Sequence, residues 1–582
     1  MQKLKGIGVS SGFVIAKAHV FHSDDAFSVP PQPVHTEDIA KEIAKFEDAL
    51  TRTRAEILGI RKKLSTQIGR EHSDIFNAHL LILEDRTLIE DVIALLKEEK
   101  VNAEYAFSKV IRRYFKAFSE MDDEYLRERI SDIRDVGKRV LQNLYGEEKN
   151  ALDSLTEKVI VVAHDLSPSD TATLDKNKIL GFVTEVGGPT SHTAILGRSM
   201  EIPAVVGVDM ATQTVKTGDL VIVDGAHGFL IVNPDEKTIE EYTQEEKRFT
   251  AFIGELDKLK NLPAETTDGR RITLASNIEF HDEIPSVISH GSEGIGLYRT
   301  EYFYMNRIDL PAEEEQFRAY KQVAEKMAPN SVIIRTLDLG GDKFASSLEV
   351  PHEMNPFLGW RAIRFCLTRV DIFKVQLRAI LRASSFGKLK LMYPMISNVQ
   401  ELRKANAILR QCQEELKQEG VSFDSSIEVG AMIEIPSAAL SADILAPEVD
   451  FFSIGTNDLI QYSLAVDRVN EKIAYLYDPT HPAILRLIKF TIESGHRKNK
   501  WVGICGEMAA DPAIALLLTG LEIDEISTSP VALPKVKKTI RSVSFKEAKE
   551  IADHAMTLET GEEIREYLVS KLRTIAGDLL ET

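Results

Sequence analysis

Cysteine is scarce in this sequence, whose 582 residues include only Cys366, Cys412 and Cys505. Three widely spaced cysteines build neither a disulfide framework nor a cysteine-based metal knuckle, so the sequence predicts a protein of the reducing cytoplasm. Long apolar runs are lacking as well. No stretch of about 18 apolar residues occurs, and the first residues lack the apolar core of a signal peptide. We therefore expect no membrane segment and no export.

Basic residues are in deficit. Lysine and arginine total 71 against 90 aspartates and glutamates, which gives a formal net charge of -19. This balance argues against a general nucleic-acid binder, although local arginines can still bind a small anion. A chain of this length does not form a single hydrophobic core, and we expect three to four domains.

Proline and glycine are almost missing between residues 37 and 144, where apolar residues recur with the period of amphipathic helices. This pattern predicts a helical subdomain at 36–145, built as two helical hairpins. Strand-like segments flank it, so we expect one α/β domain at 1–35 and 146–232 into which the helices are inserted. Gly6 to Gly12 is interpreted as a turn before a strand at Phe13–Phe21, and 233–262 as a linker helix.

Short strands alternate with helices from about residue 272 to about residue 530. The candidate strands are Ile272–Ile278, Gly294–Arg299, Val332–Leu339, Leu389–Met395, Val429–Glu434, Phe451–Thr456, Trp501–Cys505 and Glu525–Ser527. Eight such units predict a (β/α)8 TIM barrel within 263–582, followed by a helical end. The predicted fold class is therefore a multidomain α/β protein.

A glycine-rich turn precedes His192 in the segment Gly187-Gly-Pro-Thr-Ser-His192. The glycines and the proline bend the chain after a strand, and the hydroxyl residues can cap a helix that begins there. His192 then lies in the first helical turn, where free backbone N–H groups and the helix dipole favour an anion such as a phosphoryl group on the imidazole. From these residues alone, His192 can equally be a residue that caps or packs the helix start.

Polar and reactive side chains stand at the carboxyl ends of the predicted barrel strands, where a TIM barrel carries its active site. They are Arg299, Arg335, Glu434, Asn457 and Asp458, with Arg468 shortly after, and Cys505. Arginines bind phosphate and carboxylate groups bidentately, and two carboxylates on adjacent strands suit Mg²⁺. The set predicts a site for a small dianionic acid on a divalent metal. Taken singly, each charged residue fits a structural ion pair, and Cys505 fits a buried small hydrophobe.

These segments resemble a known family over nearly the whole chain. Gly-Gly-x-Thr-Ser-His192-Thr-Ala-Ile is similar to the phosphohistidine motif of the phosphoenolpyruvate-utilising enzymes. Within that group, several barrel segments resemble Enzyme I of the bacterial sugar phosphotransferase system: Gly-Ile-Gly-Leu-x-Arg299-Thr-Glu, Arg335-Thr-x-Asp-x-Gly-Gly-Asp-Lys, Asn355-Pro-Phe-Leu-Gly-Trp-Arg361, Phe451-Phe-Ser-Ile-Gly-Thr-Asn-Asp-Leu, Tyr477-Asp-Pro-x-His-Pro and Cys505-Gly-Glu-Met. The segment Ser73–Asp85 resembles the region that docks the carrier protein.

The resemblance implies a function and roles for these residues. The phosphoryl group of phosphoenolpyruvate would pass to His192 and then to a histidine of a small phosphocarrier protein docked on the helical subdomain. Cys505 would protonate the enolate carbon and so release pyruvate. The remaining implied roles are substrate binding by Arg299, Arg335, Asn457, Asp458 and Arg468, and Mg²⁺ binding by Glu434 and Asp458. The α/β domain would be a swivelling domain, and the barrel half is expected to form a homodimer.

Other functions remain to be weighed against this one. A pyruvate–phosphate dikinase or phosphoenolpyruvate synthase would make its phosphohistidine from ATP, but no Walker-type loop or unassigned domain-sized stretch is present to bind the nucleotide. A non-catalytic scaffold on the same fold would be expected to have lost some of the site residues, and none is missing. A nitrogen-related phosphotransferase would usually carry an extra N-terminal sensory domain, which we do not expect here.

Overall fold

The computed structural model describes residues 1–21, 27, 29–67, 79–80, 82–119, 124–145, 157–166, 178–188, 193–194, 197, 202–305, 309–340, 353–468, 470 and 472–580. The predicted phosphohistidine, His192, lies outside these residues, as do positions 73–78 and 81 of the predicted carrier-docking segment. The chain divides into two units, Met1–Ala251 and Phe252–Glu581. Each unit is considered by itself below.

The first unit is built on a sheet of short, valine-rich strands. They are β1 (Gln2–Lys5), β2 (Ile7–Ser10), β3 (Phe13–Phe21), β4 (Val159–Ala163), β5 (Ile179–Thr184), β6 (Ala204–Val206), β7 (Leu220–Asp224) and β8 (Phe229–Val232). The order in the sheet is β1-β8-β7-β3-β4-β5-β6-β2. Strands β3 to β6 pair in parallel and the others are antiparallel. Buried residues on β4 and β5 occupy both faces, as expected for the parallel part of an α/β sheet.

The glycine-rich segment near the N-terminus differs from its prediction. Gly6 to Gly12 was interpreted as a turn, but Ile7–Ser10 forms strand β2, which pairs antiparallel with β6. The backbone at Gly8 lies so close to that at Gly225 that a Cβ on Gly8 would overlap the Gly225 carbonyl. Only glycine permits this close approach of two backbones. The glycines of this segment therefore serve strand contact as well as turning.

Helices occupy the chain between β3 and β4. They are α1 (Ile39–Gln67), α2 (Arg86–Glu99), α3 (Ala103–Ser119) and α4 (Glu124–Tyr145). Their shared core includes the fully buried rings of Phe46 and Phe107, which lie 5.8 Å apart. The Asp85 side chain caps α2 by accepting hydrogen bonds from the backbone N–H groups of Thr87 and Leu88. The first unit is thus an α/β sheet with a helical insertion, as predicted for the fold class.

Two further helices follow in the first unit, α5 (Ala211–Thr214) and α6 (Glu236–Leu259). Helix α6 falls within the segment predicted as a linker helix. The division between the two units falls inside it, after Ala251. The exact domain boundaries proposed from the sequence remain predictions.

The second unit contains a closed barrel of eight parallel strands. They are β9 (Thr273–Ile278), β10 (Gly294–Tyr298), β11 (Ser331–Arg335), β12 (Leu389–Tyr393), β13 (Glu428–Ile433), β14 (Phe451–Ile454), β15 (Trp501–Ile504) and β16 (Glu525–Thr528). Each neighbouring pair is parallel, and β16 closes the ring by pairing with β9. All eight predicted strands occur in their predicted order, and the predicted TIM barrel is confirmed.

Helices surround the barrel strands and continue beyond the last one. They are α7 (Ile284–Ser289), α8 (Glu313–Met327), α9 (Ala362–Thr368), α10 (Val370–Ala383), α11 (Val399–Gln418), α12 (Pro436–Leu440), α13 (Ala442–Leu445), α14 (Thr456–Leu464), α15 (Pro482–His496), α16 (Pro512–Gly520), α17 (Leu533–Arg541), α18 (Phe545–Ala555) and α19 (Gly561–Ala576). Among the described residues, none of the helices combines the length and apolar character needed to cross a bilayer.

One strand is shorter than predicted. The expected strand Val332–Leu339 ends at Arg335. The backbone N–H of Thr336 still donates to the carbonyl of Met392 on β12, but that of Leu337 donates to the side chain of Gln376. The chain leaves the ladder at this point, because a side-chain acceptor replaces the neighbouring strand.

Candidate active site

The barrel brings the predicted strand-end residues to one of its open ends, since parallel strands present their carboxyl ends on the same side. This end of the barrel is called the mouth below. Each lies at or beyond such an end: Arg299 after β10, Arg335 at the end of β11, Glu434 after β13, Asn457, Asp458 and Arg468 after β14, and Cys505 after β15. The sequence pattern alone could place these residues at strand ends. The structure shows, in addition, which of these side chains are in contact.

Three carboxylates converge at the mouth. Asp338, Glu434 and Asp458 each direct one carboxylate oxygen to a place where all three lie within 4.8 Å of one another. Glu434 is held there by the backbone N–H of Met395, which donates to Oε1 over 2.6 Å. Burial, together with the charges of Asp338 and Asp458, raises the pKa of Glu434 to about 8. Burial and the charge of Asp338 also raise the pKa of Asp458.

Two buried guanidinium groups enclose this cluster. Asp338 joins them, with Oδ2 3.0 Å from Nη1 of Arg335 and Oδ1 2.8 Å from Nη2 of Arg361. The same Nη2 of Arg361 lies 3.7 Å from Oδ2 of Asp458. Arg335 also donates to Oε1 of Glu301 over 2.7 Å. Asp338 is therefore a clamp for both arginines as well as a member of the carboxylate cluster.

Asp338, Arg361 and Glu301 were not among the predicted site residues. All three stand inside the family-like segments of the sequence: Asp338 follows Arg335 by three positions, Glu301 follows Arg299 by two, and Arg361 ends the segment that begins at Asn355. Spacing was the available signal, because a loop that leaves a barrel strand carries several consecutive residues past the mouth.

The more exposed predicted residues are also paired. Arg299 forms an ion pair with Glu279. Glu507 receives hydrogen bonds from Nδ2 of Asn457 over 3.0 Å and from Nη1 of Arg468 over 3.2 Å, and its backbone N–H donates to Oδ1 of Asn457 over 3.0 Å. These contacts bring Asn457 and Arg468 together on one side of the mouth, with their donors directed toward a carboxylate.

Cys505 lies at the inner end of the mouth and is only 3% exposed. Its backbone N–H donates to the carbonyl of Ile454 over 3.0 Å, which fixes its place beside β14. It belongs to an apolar cluster inside the barrel with Leu297, Ile333, Met392, Met432 and Phe451. Burial raises the pKa of its thiol to about 11. The thiol is therefore neutral at physiological pH and suited to donating a proton.

The charge balance of the mouth fits a divalent cation. Six charged side chains form its central cluster of ion pairs and carboxylates: Glu301, Asp338, Glu434 and Asp458, with the guanidinium groups of Arg335 and Arg361. If all are ionised, two negative charges remain uncompensated, which a divalent ion would neutralise. Carboxylate oxygens from Glu434 and Asp458, with Asp338 beside them, are the ligand type that a hard divalent cation prefers.

Both buried guanidinium groups of the mouth have one donor atom without a partner in the described part of the chain. The Nε atoms of Arg335 and Arg361 are buried and have no hydrogen-bond partner among the described residues. A buried charged donor without a partner is costly, and these two atoms are closed to solvent as the side chains stand. The mouth therefore combines three carboxylate oxygens close enough to share one cation with two guanidinium groups beside them.

The chain is similar in sequence to known protein families and to individual proteins. Residues 254–545 match the family described as "PEP-utilising enzyme, PEP-binding domain", residues 5–129 its N-terminal domain and residues 155–228 its mobile domain, where PEP is phosphoenolpyruvate. A phosphoenolpyruvate-protein phosphotransferase of Staphylococcus carnosus is 48% identical over 97% of this chain and 98% of its own length. Those of Staphylococcus aureus and Bacillus subtilis are 48% and 46% identical over 98% and 97% of this chain, and over 99% and 98% of their own lengths. The chain belongs to the phosphoenolpyruvate-protein phosphotransferase family. The resemblance to Enzyme I noted in the sequence is thereby confirmed.

Membership in the phosphotransferase family decides between the hypotheses raised by the sequence. The relatives that match nearly the whole chain are named phosphotransferases, which favours the first hypothesis over a dikinase or a scaffold. It does not by itself assign roles to individual residues. The roles of His192, Cys505 and the arginines stay predictions, and they are argued next.

Proposed function

We propose that this chain transfers the phosphoryl group of phosphoenolpyruvate to His192, releases pyruvate, and passes the group to a histidine of a small phosphocarrier protein. The observation that carries the proposal is the charged mouth described above, which lies in the region matching a PEP-binding domain. The near full-length similarity to phosphoenolpyruvate-protein phosphotransferases supports the reaction type.

Binding of phosphoenolpyruvate falls to donors that face the mouth. We assign this role to Arg299, Arg335, Asn457 and Arg468, with Asp458 beside them. Guanidinium groups bind phosphate and carboxylate oxygens through paired N–H donors, which fixes orientation as well as charge. Asp338 holds Arg335 in place before the substrate arrives, so little side-chain entropy is lost when it binds.

The cofactor proposed for the mouth is Mg²⁺, held by Glu434 and Asp458. Asp338 is close enough to contribute to the same site. A divalent ion bound there would draw negative charge from the substrate oxygens and so favour phosphoryl transfer. Without it, mutual repulsion and burial favour a proton on Glu434, as its raised pKa indicates.

The chemical step exchanges one bond at phosphorus for another. A ring nitrogen of His192 attacks the phosphorus, an N–P bond forms, and the P–O bond to the enolate breaks. The arginines stabilise the charge that moves onto the transferring and leaving oxygens. Cys505 then gives its thiol proton to the enolate carbon, which yields pyruvate, and the thiolate recovers a proton from solvent. The neutral thiol described above is the form that this step requires.

The acceptor half of the reaction is assigned to the helical part of the first unit. We propose that the phosphocarrier protein docks on the subdomain at 36–145, including the segment Ser73–Asp85, and that the His192 domain swivels between donor and acceptor. A homodimer formed through the barrel half and a cytoplasmic location are part of the same proposal. The three cysteines are buried and unpaired, which agrees with a reducing compartment.

Intact-mass measurement after mixing the full chain with phosphoenolpyruvate and Mg²⁺ tests the donor half-reaction, with a His192→Ala variant as the control. We expect one acid-labile phosphoryl group on the wild type, pyruvate in the medium, and neither with the variant. Labelling from ATP but not from phosphoenolpyruvate would instead support a dikinase. Labelling from neither would refute the proposed activity. Addition of a purified histidine-containing carrier then tests the acceptor half.

A further inference from the structure

A single buried glutamine connects the two strand ends that carry the arginines Arg299 and Arg335. Gln376 lies on helix α10, outside the barrel strands, and is 1% exposed. It touches neither the carboxylate cluster nor the guanidinium groups through any of its hydrogen bonds. The sequence motifs gave no reason to single it out.

The amide of Gln376 completes a chain of hydrogen bonds between two loops. Its Oε1 accepts from the backbone N–H of Leu337 over 2.9 Å, and its Nε2 donates to Oγ1 of Thr300 over 3.0 Å. Oγ1 of Thr300 in turn donates to the carbonyl of Arg335 over 2.9 Å. Nε2 also lies 3.3 Å from the hydroxyl of Tyr320, another fully buried group.

The orientation of this amide is determined by its partners. A backbone N–H such as that of Leu337 only donates, so the oxygen of Gln376 must face it and the nitrogen must face Thr300. Each polar atom of the amide is then satisfied inside a fully buried environment. Such a network is rigid, because any displacement leaves a buried polar group without a partner.

The anchored backbone positions are next to site residues on both loops. Thr300 stands between Arg299 and Glu301, and Leu337 directly precedes Asp338. Glu301 is the buried partner of Arg335, and Asp338 is its second partner. The position of the Arg335 guanidinium therefore depends on two carboxylates, each next in sequence to a residue that Gln376 holds.

We propose that Gln376 is a positioning residue for substrate binding, which sets the separation of the loop after β10 from the loop after β11. This inference rests on the proposed function, since it assumes that Arg299 and Arg335 bind phosphoenolpyruvate. A helix outside the barrel thereby sets the spacing of the arginines, although no atom of Gln376 contacts the substrate.

The test is the affinity and kinetics of the full chain with phosphoenolpyruvate after Gln376→Met. This substitution keeps the length of the side chain and removes its three hydrogen bonds, to Leu337, Thr300 and Tyr320. We expect KM and the directly measured Kd for phosphoenolpyruvate to rise roughly tenfold, because a displaced Arg335 would lose about one hydrogen bond to the substrate. The kcat should fall by a smaller factor than KM rises, because Arg299 and Arg335 bind substrate oxygens in the ground state as well as stabilising charge in the transition state.

A matched control separates positioning from general loss of stability. Asn406 is another buried amide of the same unit, on α11, whose Nδ2 donates to the carbonyl of Glu448 over 2.9 Å. Glu448 precedes the amino end of β14, away from the mouth. Asn406→Leu deletes one buried hydrogen bond, whereas Gln376→Met deletes three, so we expect a smaller loss of Tm and a KM within about twofold of the wild type.

A second variant tests the same link from the other loop. Thr300→Val replaces the hydroxyl by a methyl group and should raise KM as Gln376→Met does, whereas Thr300→Ser keeps the hydroxyl and should retain the wild-type KM. The two residues act through one chain of hydrogen bonds, so their effects should not add. The KM of the double variant should exceed the higher of the two single-variant KM values by no more than about twofold.

The outcomes distinguish this inference from the proposed function. If the wild type takes no phosphoryl group from phosphoenolpyruvate, the proposed function fails and no variant needs to be compared. If the wild type is active but Gln376→Met and Thr300→Val show the KM of the Asn406→Leu control, the positioning role is overturned, whatever their Tm. Where Gln376→Met does not fold, Thr300→Val and its serine rescue decide the question alone.

Discussion

The neutral thiol of Cys505 leads to a prediction about how its alkylation rate depends on pH. Proton donation to an enolate carbon requires a thiol that keeps its proton at physiological pH. Burial raises the pKa of Cys505 to about 11, whereas an unperturbed cysteine has a pKa of about 8.5. The perturbation that reveals the difference is a change of pH, because alkylating reagents react with the thiolate only.

The expected magnitude follows from the two pKa values. At pH 7 about 3% of an unperturbed thiol is ionised, but only about one molecule in 10,000 at Cys505. Ionisation alone therefore slows alkylation roughly 300-fold, and burial adds a factor that does not depend on pH. Between pH 7 and pH 10 the rate at Cys505 should rise about tenfold per pH unit without levelling, whereas a free thiol levels off above its pKa near 8.5.

Iodoacetamide labelling of the metal-free full chain measures these rates when peptide masses are followed over time. Cys412 is an internal comparison, since burial raises its pKa to about 12 and its labelling should be slower still. Glutathione in the same tube reports the behaviour of an exposed thiol. A Cys505 rate that levels off below pH 9 would mean that the thiol ionises readily, and it would refute the assignment of Cys505 as a proton donor held neutral by burial.

Two further predictions concern the same mouth. The affinity for Mg²⁺ should rise about 50-fold between pH 6 and pH 8, because the pKa of Glu434 is raised to about 8 and binding must displace its proton below that pH. Calorimetric titration in two buffers of different ionisation enthalpy measures both the affinity and the protons released, and a pH-independent affinity would contradict it. Gly506→Ala should lower phosphorylation by phosphoenolpyruvate roughly tenfold or more, since its Cβ would overlap the Thr456 hydroxyl and displace residues beside it. Gly254→Ala, where a Cβ meets nothing within 4 Å, should keep full activity, and an equal loss in both variants would reject the steric argument.

The barrel could be predicted from the sequence because eight short strand-like segments alternate with helical ones, and several of the strands end at a polar or reactive residue. Predicted and observed strands agree to within a few residues at their ends, and the strand-end position of Glu434 or Cys505 follows directly. The largest error was the strand extended to Leu339. Its apolar residues continue the strand pattern, but the N–H of Leu337 donates to the side chain of Gln376 on helix α10. No local pattern in the sequence around Leu337 contains that information.

The pairing within the mouth could not be predicted for a related reason. Strand order tells which residues share an end of the barrel, but not which carboxylate faces which guanidinium group. Asp338 lies between Arg335 and Arg361 because the two ends of the connection from β11 to α9, 23 positions apart, come together at the mouth. Gln376 was missed entirely, since one more polar residue in an amphipathic helix is a weak signal without knowledge of its partners.

The arginines of the mouth are already paired, so binding of the proposed substrate there would be an exchange of anions. Glu279 and Glu507, the partners of Arg299 and Arg468, have side chains that are 50% and 75% exposed, and such ion pairs cost little to break. Glu301, the partner of Arg335, is 14% exposed and cannot turn to water as easily. In the proposed substrate site, Arg335 would therefore stay fixed while Arg299 and Arg468 exchange their carboxylates for substrate oxygens. The affinity would then depend most on Arg335, whose backbone carbonyl is tied through Thr300 to the buried amide of Gln376.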